Sequence, residues 1–144
     1  MNLGAVRAFV VGRRNVMSGI MVSVMGPDSL DYVLVDDDPL IRRGWEIAAR
    51  ESGIKLKTFS SGKEALAAPL PLDAKLCFDL KLGQGESGIA LAKTFFERGH
   101  RFIFLTTGMP PQFVAKPDWI CGVLEKDPPW IAGSDETPPG SPQN

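Results

Sequence analysis

Acids, hydroxyls and an amine stand where apolar runs stop in this sequence. Tyr32-Val33-Leu34-Val35 drives into Asp36-Asp37-Asp38-Pro39, and Ala74 to Phe78 ends in Asp79. Phe102 to Leu105 ends in Thr106-Thr107-Gly108, and Trp119 to Leu124 ends in Glu125-Lys126. Adjacent carboxylates repel and shift each other's pKa unless a cation offsets them. Three carboxylates drawn together form a hard, all-oxygen site suited to Mg2+. A hydroxyl and an ammonium beside Asp79 would suit the oxygens of a phosphoryl group. One acid at the end of a strand is a weak signal, and Asp38 needs no role beyond capping a helix ahead of Pro39. The joint match of four strand ends in chain order is strong.

These residues work together only if the runs before them are neighbouring parallel strands. The run Tyr32–Val35 is short, β-branched and apolar on both faces, as expected of a strand buried in a parallel sheet. Pro39 to Ser52 reads as a helix with Ile41, Trp45, Ala48 and Ala49 on one stripe and Gly53 as its stop. Ile54 to Phe59 begins with strict alternation and two lysines, the pattern of an edge strand. Lys63 to Ala68 is a short helix ended by Pro69 and Pro71. A glycine-bearing loop, Leu80 to Ser87, leads into a helix from Gly88 to Arg98 with Ile89, Ala92 and Phe96 inward. Between Met109 and Asp118, Pro110, Pro111 and Pro117 leave room for a turn at most. The alternation of strands and helices calls for an open parallel sheet with helical crossovers, whose carboxyl edge is where ligands bind.

Composition narrows the field. The chain has 144 residues, 44% of them hydrophobic, enough for one domain with a core. A formal net charge of -1 gives no ground for nucleic-acid binding. Cys77 and Cys121 both lie in apolar runs, so both are expected to be buried and reduced, which fits a cytoplasmic protein. The lone His100 follows Gly99 in a connecting turn with no second His nearby. Met1 to Pro27 reads as an N-terminal extension, or as sequence upstream of a later start at Met21 or Met25. Arg13-Arg14 before Val16–Met25 loosely suggests an export signal, but Ser18, Gly19 and Ser23 break the run and it is too short to span a bilayer. No membrane association is expected. Residues 131–144 read as a disordered tail rich in Pro, Gly, Ser and acid.

Residues 28–130 read as one domain, which from about Asp31 to Trp130 resembles the receiver domain of two-component response regulators. The resemblance rests on Val35-Asp36-Asp37-Asp38-Pro39, Cys77-Phe78-Asp79-Leu80 with Gly88 downstream, Leu105-Thr106-Thr107-Gly108, and Glu125-Lys126. It implies a flavodoxin-like (CheY-like) five-stranded parallel sheet in the order 2-1-3-4-5. It implies Asp79 as phosphoacceptor, with Asp37, Asp79 and the Lys81 backbone carbonyl as Mg2+ ligands and Asp36 assisting through water. Lys126 would contact the acyl phosphate. Thr107 matches the switch hydroxyl best, because the small Gly108 follows it, with Thr106 as the alternative. The implied partner is a sensor histidine kinase or a phosphotransfer protein, and the chain would catalyse only its own phosphorylation and dephosphorylation.

The sequence departs from the family in four places. Helix 4 is short or absent, helix 5 is missing, and Val123-Leu124 stand where an aromatic switch residue is usual. The family's Lys-Pro dipeptide, commonly cis, is here Lys126-Asp127-Pro128-Pro129-Trp130. A cis bond before Asp127 costs about 2.5–4 kcal/mol over trans, so the bend is expected to be made another way. The ending resembles a shortened receiver variant also seen attached to sensor kinases. Without helix 5, the strands carrying Cys77, Phe104 and Cys121 would bare an apolar face. Trp130 is expected to fold back over part of it and an assembly such as a homodimer to cover the rest, with the segment Ala5 to Val24 ranked third as a cover. Two other functions compete: a phosphorylation-independent interaction module, and a Mg2+-dependent phosphatase of the haloacid dehalogenase type. The phosphatase family uses a D-x-D pair on its first strand, which leaves Asp79 unaccounted for.

Overall fold

The computed structural model describes residues 29–132. The expected extension 1–27 and most of the expected tail, residues 133–144, lie outside the described residues. In chain order the elements are β1 (Tyr32–Val35), α1 (Pro39–Ser52), β2 (Leu56–Phe59), α2 (Gly62–Ala67) and β3 (Lys75–Asp79). They continue as α3 (Gly88–Glu97), β4 (Ile103–Thr107), a 3-10 turn (Pro111–Phe113), β5 (Gly122–Glu125) and α4 (Pro129–Ala132). All strand pairings are parallel, and the order across the sheet is β2-β1-β3-β4-β5. This is the 2-1-3-4-5 arrangement of a CheY-like flavodoxin fold. Among the described residues, one 3-10 turn stands where a fourth helix would be, and one helical turn where a fifth would begin.

Local chemistry explains the boundaries. Asp38 caps α1 by accepting from the Leu40 N–H at 2.9 Å, and Pro39 supplies a preset φ at the first helical position. Gly53 ends the helix at φ 69, a left-handed conformation that side chains disfavour, with its N–H on the Ala49 carbonyl. β2 starts at Leu56 rather than Ile54, because the Lys55 N–H is taken by the Asp31 carboxylate at 2.8 Å. β5 starts at Gly122 rather than Trp119, because Pro117 to Ile120 closes as a turn. Pro129 opens α4, and the Ile131 N–H reaches the Pro128 carbonyl at 3.1 Å, so helical structure runs past Trp130 into the start of the expected tail.

Alternating strand residues supply two cores, as the pleat requires. On one face Val33, Val35, Leu76, Phe78, Ile103 and Leu105 pack with Ala65 of α2 and Leu91, Ala92 and Phe95 of α3. On the other, Leu34, Cys77 and Trp45 form a smaller cluster flanked by Tyr32, Phe104, Leu124 and Trp130. Each large side chain fully buried this way contributes about 1.5–3 kcal/mol. The Trp130 ring lies 5.1 Å from Tyr32 and 5.5 Å from Trp45, so the indole does fold back over the smaller face, beside α1.

Two expectations need correction. The inward face of α3 is Gly88, Leu91, Ala92 and Phe95, whereas Ile89 and Phe96 are only half-buried. Cys121 is exposed, because it precedes β5 instead of lying within it; only Cys77 is buried. His100 follows the connecting turn as expected, and it is buried edge-on against Phe95, with ring centroids 5.3 Å apart.

Candidate functional site

Register builds the site. Val35 pairs with Phe78, so the next residue on each strand, Asp36 and Asp79, stand side by side. Asp79 pairs in turn with Thr106, and Thr107 with Glu125, which sets Lys126 just beyond the edge. Asp36, Asp37 and Asp79 each offer a carboxylate oxygen, and these oxygens lie within 4.8 Å of one another. The Lys126 ammonium reaches between two of them, 2.9 Å from Asp36 Oδ2 and 3.0 Å from Asp79 Oδ1. Lys126 and Asp79 also line a cleft with Leu80, Lys81, Thr107, Gly108 and Met109.

Each carboxylate has its own setting. Asp36 is fully buried; its Oδ1 accepts from the Asp38 N–H at 2.9 Å, and its backbone carbonyl accepts from Arg42 Nη1 at 2.8 Å. Asp37 is exposed and faces Gly83, where an added Cβ would stand 2.8 Å from Asp37 Oδ2. Asp79 is nearly buried and takes the Lys81 N–H on Oδ1 at 3.3 Å. Burial pushes the Asp79 carboxyl above the ordinary carboxylate range. Its hydrogen bond to Lys126 opposes this, the Asp36 charge adds to it, and the Lys126 charge and Lys81 N–H pull down again. Burial would lower the Lys126 amine, but its bonds to Asp36 and Asp79 outweigh that and hold it above the ordinary lysine value.

The loop after Asp79 is held by close backbone approach. Gly88 opens α3 with its N–H on the Leu80 carbonyl at 3.0 Å, and a Cβ there would fall 2.1 Å from the Asp79 carbonyl oxygen. Only glycine fits, which gives a physical reason for the Gly88 of the sequence motif. Lys81 bridges to Ser87 across the loop, bringing its backbone to the site while its side chain stays exposed.

Of the two threonines, Thr107 lines the cleft. Its hydroxyl oxygen accepts from the Met109 N–H at 3.0 Å, which leaves the O–H proton free to donate elsewhere. Thr106 Oγ1 is buried, with no hydrogen-bond partner among the described residues. All the sequence-selected side chains therefore meet at one edge, and the structure adds two residues of α1. Arg42 holds the Asp36 carbonyl, and the Trp45 indole N–H donates to the Lys126 carbonyl at 2.7 Å. The apolar stripe marked Trp45 only as core, and no local signal pointed to its partner.

Comparison with solved structures agrees with this fold. The fold is that of a response-regulator receiver domain. The response regulator protein TrrA of Thermotoga maritima, solved in complex with Mg2+-BeF, has a TM-score of 0.57 at 22% identity over 72% of this chain and 92% of its own. A CheY-like receiver domain protein of Methanospirillum hungatei has a TM-score of 0.54 at 19% identity, covering 74% of this chain and 91% of that one. A receiver protein of Sinorhizobium medicae gives 0.53 at 21% identity, covering 70% and 85%. No family model and no curated protein sequence matches the chain. No described helix is long and apolar enough to cross a membrane.

The donor set can be weighed for a metal. Three carboxylates face one ammonium, which leaves the cluster two negative charges in excess when all are ionised. Hard oxygen donors with an excess charge of this size fit a small divalent cation such as Mg2+.

Proposed function

We propose that this chain is a phosphoaccepting receiver of two-component signalling, taking a phosphoryl group onto Asp79. The donor would be the phosphohistidine of a sensor histidine kinase or phosphotransfer protein. The observation that carries the reading is the meeting of Asp36, Asp37, Asp79 and Lys126 at one sheet edge, beside a cleft that also holds Thr107. Asp37, Asp79 and the Lys81 carbonyl would hold Mg2+, with Asp36 assisting through water. The ion, when bound, would offset charge on the carboxylates and on the phosphoryl oxygens.

In the reaction, an Asp79 carboxylate oxygen forms a bond to phosphorus as the donor's P–N bond breaks, and the electron pair returns to the imidazole. Lys126 meets the negative charge carried by the phosphoryl oxygens. The Thr107 O–H, free to turn, would donate to the new acyl phosphate and draw the following loop with it. A location in the cytoplasm, beside the kinase's catalytic parts, goes with this role.

Incubation with acetyl phosphate and Mg2+, followed by intact-mass measurement, tests the proposal. Wild type should gain one phosphoryl group that is lost in hydroxylamine, and Asp79→Asn should gain none. Equal labelling of the two refutes Asp79 as acceptor. No labelling of wild type favours a phosphorylation-independent interaction module.

A further inference from the structure

Trp45 lies midway along α1 and is among the largest fully buried side chains of the protein. An indole ring can be buried on apolar contact alone, here with Leu34 and Cys77. Its N–H is a separate demand, since a buried donor must be met. It is met by a backbone carbonyl distant in sequence, that of Lys126, at 2.7 Å. The direction of the ring is fixed from the other side by Trp130, which meets it edge-on at 5.5 Å and 88°.

Lys126 is consequently held at both ends. Its ammonium is fixed by Asp36 at 2.9 Å and Asp79 at 3.0 Å, and its carbonyl by Trp45. Beyond that carbonyl the chain passes through Asp127 into Pro128 and Pro129, which have no N–H to anchor the backbone. One turn earlier on α1, Arg42 grips the Asp36 carbonyl at 2.8 Å. A single helix thereby sets the backbone on both sides of the buried ion pair.

We infer that Trp45 is a positioning residue for Lys126. Its indole N–H fixes the Lys126 carbonyl, and with it the line along which the ammonium reaches Asp36 and Asp79. The effect on phosphoryl transfer rests on the receiver reading; the positioning itself does not.

The test uses the full chain. In wild type, the Trp45 indole proton should exchange with solvent more slowly than those of Trp119 and Trp130. In protein labelled with 13C at lysine Cε, the two Lys126 ε-methylene protons should be inequivalent. Trp45→Phe keeps a buried ring and removes the N–H. The shift difference between the Lys126 protons should then shrink as the side chain loosens, and the initial rate of labelling by acetyl phosphate should fall about two- to tenfold, the loss of one hydrogen bond. Calorimetric Mg2+ affinity should be unchanged.

Fast exchange of the Trp45 indole in wild type, or an unaltered Lys126 signal in the variant, overturns the inference. A fall in rate matched by an equal fall in Mg2+ affinity also overturns it, because a general disturbance of the site then suffices. Should Trp45→Phe not fold, the wild-type exchange measurement still decides. If wild type takes no phosphate, the receiver reading fails while both NMR measurements still judge the positioning role.

Discussion

Removing the Lys126 ammonium from the carboxylate cluster should destabilise the metal-free protein. Lys126→Met keeps much of the side chain's length and apolar stem but takes away the ammonium. Asp36, with no exposed surface, and Asp79, at 5%, would then face each other with Asp37 beside them. Breaking a buried ion pair from one side costs about 3–5 kcal/mol. The figure here is lower, because the Lys126 side chain is 24% exposed and both carboxylates keep a backbone donor, Asp38 N–H and Lys81 N–H. A loss of about 2–3 kcal/mol follows, which lowers Tm by on the order of 10 °C or more in a domain of about 100 residues.

Two controls sharpen the test. Mg2+ should raise Tm in wild type by mass action, and should narrow the gap between variant and wild type as it takes over the missing charge. Acid should narrow it as well. The Asp79 carboxyl is held above its ordinary value of 3.8, so the fold takes up that proton before the unfolded chain does. The associated cost to stability is present at higher pH and is relieved as pH falls through the folded pKa toward the ordinary value. Thermal melts in EDTA and across a Mg2+ titration supply the measurement. A variant as stable as wild type in EDTA, with no response of either to Mg2+, refutes the argument that these carboxylates are electrostatically frustrated.

Three further outcomes are expected. Trp130→Ala should cost about 2 kcal/mol by losing the ring contacts with Tyr32 and Trp45, whereas Trp130→Phe should cost far less, because the Trp130 N–H is buried with no partner among the described residues; chemical denaturation of both ranks them, and an equal loss refutes the account. Burial and then the Arg98 charge hold the His100 imidazole below its ordinary value of 6.5, so the unfolded chain binds that proton first and the neutral His100 contribution is lost as pH falls through about 6.5 toward the folded pKa; urea melts between about pH 7 and pH 5 should show a shallower slope in His100→Gln than in wild type. Burial pushes the Cys77 thiol up to about 12 while Cys121 is exposed, so a thiol reagent near neutral pH should modify one of the two cysteines in the native protein and both in denaturant; rapid modification of both in the native state contradicts the packing described.

The site was more legible in the sequence than the packing that supports it, and the cause is the parallel sheet. Where strands run parallel, every strand end carrying a polar residue falls at the same edge. The apolar runs ending at Asp36, Asp79, Thr107 and Lys126 therefore locate the site before any helix is placed. Helix faces are harder to read. Along α3, Ile89, Ala92 and Phe96 make an apolar stripe nearly as good as Leu91, Ala92 and Phe95. The choice is made by Gly88, which must turn its bare Cα toward the Asp79 carbonyl; Leu91, Ala92 and Phe95 follow inward at i+3, i+4 and i+7. Rotation of the helix is thus set by the site and not by hydrophobic periodicity.

Least legible are the contacts between α1 and the far end of the chain. Trp45 satisfies the pattern of a core residue completely, and Arg42 that of a surface one. Nothing local reveals that the indole N–H meets Lys126 or that the guanidinium meets the Asp36 carbonyl. These bonds nevertheless account for what the departures from the receiver pattern left unexplained. With no proline directly after the lysine and only one turn of α4 among the described residues where a fifth helix would stand, the Lys126 backbone takes another anchor and the smaller face another cover. Trp45 supplies the anchor through its N–H, and Trp130, stacked edge-on against it, supplies part of the cover. The two tryptophans act together, because the ring whose N–H anchors Lys126 is itself set edge-on against the ring that covers part of the smaller face.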